Sequence, residues 1–441
     1  MVAKTGENGK ADRQPVRIEE LSVEGFKSID GPLNLKIRPL TILAGANSSG
    51  KSSAIQPLLM MKQTLEAPYD PGPLLLSGPN VNFTSVQQFL CLSRVSGTEG
   101  SFAFGLSTGN GNSCRIVFHR GTSSPVELEE MVIESGKYRD VYRVGEFLMS
   151  DTPFGRDYLS GAVFGRTQDP VIRMVQDRFL INAHVQLQSV PEAHFVPLWG
   201  AAEMFEAAIA KAIHVPGLRG NPLRNYPVSA VGARFPGTFE KYVASIVATS
   251  EQSYLDQLGT DLQELGLTWK VTASKVDDTQ VELKVGRLPK PSRGGANDLV
   301  SIADVGFGVS QTLPVVVALL TARPGQLVYI EQPEIHLHPR AQVAMAALLA
   351  RAANRGVQVV IETHSSLLLL GVQQLIASGE LDPSKVWLHW FKRDDQTGFT
   401  DVTSREFDEV GRFGDWPEDF DDVSLEAQQK FLDAAEKKLV S

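Results

Sequence analysis

Residues 40–60, LTILAGANSSGKSSAIQPLLM, join a charge-free strand to a helix through a turn of glycines and serines. Leu40–Gly45 has no charged residue and reads as a strand buried on both faces, the habit of a central parallel strand. The turn fits G-x-x-x-x-G-K-[ST] with Gly45, Gly50, Lys51 and Ser52. Between a strand and a helix, such a turn gathers backbone N–H groups around phosphate oxygens, and the helix N-terminus adds favourable partial charge. Gly45, Asn47, Ser48, Ser49, Gly50, Lys51, Ser52 and Ser53 are therefore the candidate phosphate cradle. Lys51 would reach the β- and γ-phosphates of a nucleotide, and the Ser52 hydroxyl would ligate Mg²⁺.

The rest of the chain has to supply the sheet that such a loop crowns. "RIEELSVEGF" and "LNLKI" alternate polar and apolar residues and read as strands. After the Pro/Gly-rich "EAPYDPGPLLLSGP" come three strand-like pieces, "SFAFGLST", "SCRIVFHR" and "VELEEMVIES". Helical patterns are expected to dominate from 150 to 265, and "TWKVTASKVDDTQVELKVG" reads as a hairpin. From 300 onward, helix and buried strand alternate: helix 309–321, strand 327–331, helix 340–354, strand 357–361, helix 365–377, strand 385–391. That alternation predicts a parallel α/β sheet. The expected organisation is a split α/β head, residues 1–80 and 300–395, with an inserted α+β arm or lid over 81–299 and an acidic tail over 396–441.

Composition narrows the class. With 42% hydrophobic and 21% charged residues, a packed core is expected rather than disorder. The two cysteines, Cys91 and Cys114, have no metal-ligand spacing, and a reducing compartment is the default. No run approaches the ~20 apolar residues of a membrane span, and "MVAKTGENGKADRQPVR" has no apolar signal core. A cytoplasmic protein without membrane contact is expected. Of the net charge of −9, residues 401–441 carry 12 acids and 5 bases, so the remainder is close to neutral. Basic residues at Lys211, Arg219, Arg224, Arg234 and Lys241, and from Lys270 to Arg293, leave a nucleic-acid groove open as a reading; a solvated surface is the favoured one.

Three further motifs share one architecture. "VGFGVSQTLP" (305–314) is a glycine-containing loop that opens a helix; "LVYIEQPEIHLHP" (327–339) is a buried strand ending in Glu331, Gln332 and Glu334; "VVIETHSSLLL" (359–369) places His364 beyond a buried strand, where ligands of α/β sheets sit. In this order the motifs resemble ABC-type ATPase heads, the class of SMC proteins and of OLD (overcoming lysogenization defect) ATPases. The wording "E-x-P-E-x-H-L-H-P" and "THS" is similar to the OLD-related prokaryotic AAA-family ATPases. The likeness covers 20–65 and 300–370 and is weak over the insert. "EFDEVGRFGDWPEDFDD" more loosely resembles the C-terminal extension of a stand-alone subgroup whose tail has no known function. The TOPRIM nuclease domain of OLD proteins is not expected here, since no acidic metal cluster on strands follows "ETHS".

The resemblance implies roles. Gly306, Gly308 and Ser310 would form a signature loop contacting the γ-phosphate held by a second copy. Glu331 would hold Mg²⁺ through water, His364 would contact the γ-phosphate, and Gln87 or Gln88 would serve as the metal-side glutamine. His336 and His338 lack further metal-ligating partners and read as structural. Related heads carry a carboxylate base directly after the magnesium acid; here stands Gln332, which orients water but takes no proton. Glu334 is the favoured substitute base. The expectation is an ATP- and Mg²⁺-binding, slowly hydrolysing switch that forms an ATP-dependent homodimer and acts with a separately encoded effector, in phage defence or DNA maintenance. The alternative is a non-hydrolysing nucleotide-dependent protein scaffold with no nucleic-acid contact. A transporter ATPase is disfavoured by the long insert.

Overall fold

A computed structural model describes residues 17–91, 100–122, 124–143, 145–148, 171–186, 200–291 and 298–414, together with 429, 431 and 432. The chain begins with β1 (Ile18–Glu24), β2 (Leu33–Lys36), β3 (Leu40–Gly45) and helix α1 (Lys51–Glu66). Next come β4 (Ser101–Thr108), β5 (Asn112–Arg120), β6 (Val126–Ser135) and β7 (Tyr138–Tyr142), then β8 (Gly145–Leu148), β9 (Val171–Asp177) and β10 (Leu180–Gln186). Helix α2 (Gly200–Lys211) leads into β11 (Ile213–Val215), β12 (Tyr226–Pro227), α3 (Val243–Thr249) and α4 (Gln252–Glu264). Strands β13 (Val271–Lys275), β14 (Gln280–Gly286) and β15 (Leu299–Ser301) follow. The final stretch alternates α5 (Phe307–Thr321), β16 (Leu327–Glu331), α6 (Pro339–Asn354), β17 (Gln358–Thr363), α7 (Ser366–Ala377), β18 (Val386–Arg393) and β19 (Thr400–Arg405).

The central sheet runs β11-β16-β17-β3-β18-β19, parallel from β11 to β18 and closed by antiparallel β19. All six residues of β3 and all six of β17 are buried, as continuous apolar strands between covered faces must be. Side chains divide between the faces with the strand period of two. Leu40, Ile42, Val328, Ile330, Val359 and Ile361 pack in the core of α5, α6 and α7. Leu43, Leu327, Tyr329, Val360 and Phe391 face α1 and a second, antiparallel sheet of order β2-β1-β4-β5-β6-β7. Helix α1 lies between the two sheets, which is why it is buried nearly all round, with Ile55, Leu58, Leu59, Met60 and Met61 packed together.

The expected domain boundaries do not follow these pairings. Strand β1 pairs along β4, so a boundary at residue 80 would cut one sheet. Strand β11, inside the expected arm, is the edge of the central sheet beside β16. Strand β19 belongs to that sheet too, and beyond it Phe407 and Phe413 pack into the core, so an independent tail does not begin at 396. The expected dominance of helix over 150–265 is interrupted by the β9–β10 hairpin; residues 149–170 and 187–199 lie outside the described residues. Neither cysteine forms a disulfide and both are buried, and among the described residues no helix is long and apolar enough to cross a membrane.

Candidate functional site

The sequence between β3 and α1 turns in a way only small residues permit. Gly45 sits at φ 145° and Gly50 at φ 104°; a Cβ on Gly45 would stand 2.2 Å from the Phe391 carbonyl oxygen, and one on Gly50 2.2 Å from Thr400 Oγ1. Lys51 is folded into the loop and only 4% exposed. Its Nζ donates to the carbonyls of Ala46 (2.7 Å) and Gly45 (3.0 Å) and to Ser49 Oγ (3.4 Å). Burial pushes its ammonium down to about 8, against the pull of Glu362 and Glu334. Phosphate oxygens in place of those carbonyls would raise it again.

The loop opens on a cavity of about 770 Å³. Its wall joins Asn47 to Ser53, Gln87, Gln88, Gln332, Glu362 and His364, residues from four separate segments of the chain. Gln88 is folded back onto Thr84, its amide exchanging bonds with Thr84 N and Oγ1, while the Gln87 amide has no hydrogen-bond partner among the described residues. Gln87 is thus the one of the two whose side chain is free to turn to a ligand. His364 is half-buried; burial and the nearby Lys51 lower its pKa, so its ring is neutral near pH 7.

The acids are arranged differently from expectation. Glu331 does not line the cavity. His214 Nε2 donates to its Oε1 (3.0 Å) and the Gly217 N–H to its Oε2 (2.9 Å). Asn80 donates to His214 Nδ1 at 3.0 Å, which leaves the proton on Nε2. Burial by itself would raise the Glu331 carboxyl, but His214, Gly217 and Arg219 hold it below its usual range. The carboxylate facing the loop serine is Glu362, the register partner of Glu331 on the neighbouring strand. Ser52 Oγ donates to its Oε2 at 2.8 Å and the Tyr329 hydroxyl to its Oε1. Glu362 is 3% exposed, and burial pushes it up to about 7 despite these donors and Lys51. Among the described residues no three His, Cys, Asp or Glu side chains cluster as a metal site. A hydroxyl and a carboxylate oxygen are hard donors, and that sparse set suits Mg²⁺ completed by phosphates and water. Glu362 was legible in principle, as an acid ending an apolar strand two residues before His364.

Gln332 lines the cavity, in the left-handed region at φ 45°; its N–H donates to the Glu362 carbonyl at 2.9 Å. Glu334 does not line it. Its Oε1 accepts from Thr363 Oγ1 (2.8 Å) and the His364 N–H (2.9 Å), so it ties the turn after β16 to the end of β17. Burial raises its pKa. An acid held this way is turned from the cavity in this structure. Gly306, Gly308 and Ser310 also lie outside the cavity. Gly306 precedes α5, Ser310 Oγ donates to the Phe307 carbonyl (3.1 Å), and an added Cβ on Gly308 would meet Leu267 and the His336 carbonyl at 3.3–3.4 Å. His338 caps α6 and His336 lies against Phe307.

Arg219, read from sequence as a surface base, is 7% exposed. It donates to the carbonyls of Gln311 (3.1 Å), Glu331 (2.7 Å) and Gln332 (3.3 Å), and Gln311 returns a bond to the Gly220 carbonyl at 2.6 Å. Arg224 is paired with Asp304. Arg219 is therefore not available to an open basic groove, whereas Arg224 stays exposed.

Fold and site together define a mixed α/β protein with a phosphate-type loop beside a cavity lined by a carboxylate, a histidine and glutamines. Residues 292–370 match the family model described as "AAA domain, putative AbiEii toxin, Type IV TA system". Among solved structures the chain is similar to an SMC head bound to the C-winged helix domain of ScpA (11% identity, TM-score 0.44, covering 89% of this chain and 99% of that one). It is also similar to the SMC head domain from Thermotoga maritima (10%, TM-score 0.41, 88% and 98%). A third is an SMC head with an extended coiled coil bound to the C-terminal domain of ScpA derived from Pyrococcus furiosus (12%, TM-score 0.41, 96% and 100%). No curated protein matches the chain.

Proposed function

We propose that the chain binds ATP with Mg²⁺ and hydrolyses it slowly, as one head of a nucleotide-dependent pair that acts on a separately encoded effector. The observation that carries this reading is the convergence of the phosphate loop with Gln87, Gln332, Glu362 and His364 on one cavity. The loop N–H groups and Lys51 hold the phosphates. Ser52 and Glu362 hold the metal, with Gln87 beside them; the metal's chemistry is to neutralise charge on the terminal phosphates. His364, neutral, donates or accepts one hydrogen bond at the γ-phosphate, and Gln332 orients the attacking water. Glu331 keeps the strand end in place through His214 and Gly217. Gly306, Gly308 and Ser310 at the start of α5 face the γ-phosphate of the second copy. A role in phage defence or DNA maintenance rests on the resemblance to OLD-related ATPases alone.

One observation favours the rival reading, a scaffold that binds ATP without hydrolysing it. The cavity presents Gln332 where a base is needed, while Glu334 is tied to Thr363 and His364. Two measurements test the pair of readings. Lys51→Ala should abolish binding of a fluorescent ATP analogue, and unchanged affinity would remove the nucleotide site altogether. Phosphate release by the unmodified protein, absent over a day with ATP bound, would leave the scaffold.

A further inference from the structure

We infer that the β18–β19 hairpin holds the base of the nucleotide, with the Phe399 ring as its stacking platform. The inference rests on the ATP reading above and adds the end of the ligand that the phosphate motifs leave open. Strand β3, which carries the loop, lies between β17 and β18. On the β17 side stand Glu362, His364 and, one strand further, Gln332, the groups suited to the metal and the terminal phosphate. The same cavity continues on the other side of β3 to Arg393, Thr397, Gly398 and Phe399 in the hairpin. A nucleotide with its terminal phosphate on the β17 side must run its nucleoside away from there.

The chemistry of that wall changes accordingly. The cavity lining is polar except for Leu90 and Phe399, and Phe399 is its only phenyl ring among the described residues. A base offers a flat π-face, and stacking on an aromatic side chain is the interaction such a face makes irrespective of base identity. The hairpin is also held in fixed relation to the phosphate loop. Thr400 N donates to the Ser28 carbonyl (2.7 Å), Thr400 Oγ1 to the Ser49 carbonyl (2.9 Å), and Arg393 Nη1 to the Ser48 carbonyl (3.2 Å). Within the turn, Asp394 Oδ1 accepts from Gln396 N, Thr397 N and Thr397 Oγ1, and Asp394 N donates to the Phe399 carbonyl. A ring on a turn stiffened in this way is already in place when the ligand arrives, and preorganisation lowers the cost of ordering.

Phe399 is part-exposed, so its replacement should leave the fold intact. The probes are ATP and inorganic tripolyphosphate, titrated against the full chain. Phe399→Ala should weaken ATP on the order of tenfold, the usual worth of one stacked base, and leave tripolyphosphate within about twofold. Phe399→Trp should keep ATP affinity, and its added emission should respond to ATP but not to tripolyphosphate. Equal ATP affinity in a folded Phe399→Ala protein overturns the inference. So does an equal loss for both probes, which would mean that the hairpin only shapes the phosphate loop. Failure of the unmodified protein to bind either probe would instead defeat the underlying ATP reading, and this inference with it.

Discussion

Replacing Glu334 separates two jobs that one carboxylate could hold. If it is the base, Glu334→Gln removes the proton acceptor and turnover falls by roughly a hundredfold or more. The structure gives it a different job. Its Oε1 receives the Thr363 hydroxyl and the His364 N–H, and the carboxyl lies outside the cavity. Glutamine keeps an acceptor oxygen at that position. The two bonds weaken from charged to neutral, and a buried NH₂ replaces an Oε2 that has no partner among the described residues. Relief of a buried charge offsets part of this loss, since burial already raises the Glu334 pKa. The net cost is about 1 kcal/mol. Alanine strands both donors inside the protein and costs about 3 kcal/mol.

Stability is read by urea unfolding with and without ATP, and turnover by steady-state phosphate release at saturating ATP. The expected pattern is that Glu334→Gln hydrolyses within about threefold of the unmodified protein, while Glu334→Ala loses stability first and activity only as far as His364 is displaced. A hundredfold drop in turnover for Glu334→Gln, with stability and ATP affinity preserved, would refute the argument and return Glu334 to the mechanism.

Gly308→Arg should abolish ATP-induced pairing, measured as mass in solution, while leaving ATP affinity unchanged, because Gly308 lies at the start of α5 and away from the cavity. Arg219→Ala strips the donor from three carbonyls and should cost roughly 2–4 kcal/mol in urea unfolding, with kcat falling more than KM rises; Arg219→Lys should recover part of both. Burial holds His389 down to about 4, against the ordinary 6.5 of an imidazole, so the folded state resists a proton that the unfolded chain accepts. Stability should therefore be full above about pH 6.5 and decline as pH falls toward 4, by up to roughly 3 kcal/mol, and His389→Gln should flatten that part of the profile in pH-dependent unfolding. Gln332→Glu alone should raise phosphate release little, because a second carboxylate beside Glu362 is held protonated; a large gain from this change would contradict the argument.

The elements after residue 300 were legible almost to the residue because each is a long periodic segment. Strand 327–331 is found as read, and helix 340–354 begins one residue earlier. The insert was read less well. "IHV" is a three-residue strand directly after a helix, too short to show a period, yet it supplies the edge of the central sheet and His214. The β9–β10 hairpin carries no glycine in its turn; Arg178 takes the left-handed position, so the usual turn signal is missing. Glu362 and Arg219 escaped for another reason. Which acid faces Ser52 depends on which strand stands next to β3, and that is a fact of sheet order. A buried arginine looks like a surface one until the carbonyls it satisfies are known.

The sheet order also explains how a site can lose its expected base and keep its form. Strand β17 stands between β3 and β16, so its last residues are closer neighbours of the phosphate loop than Glu331 is. A carboxylate at 362 can therefore take the Ser52 hydroxyl that a carboxylate on β16 would otherwise serve, and Glu331 is left to His214 and Gly217. With Glu362 buried beside the loop, a further carboxylate at 332 would add a like charge to a site of low dielectric, at a cost that rises as the charges approach. Glutamine at 332 avoids that repulsion and keeps a hydrogen-bonding side chain at the water position. What it lacks is a proton acceptor, the feature on which the proposal of slow hydrolysis rests. On the function proposed above, a nucleotide site without that acceptor suits a switch better than a motor.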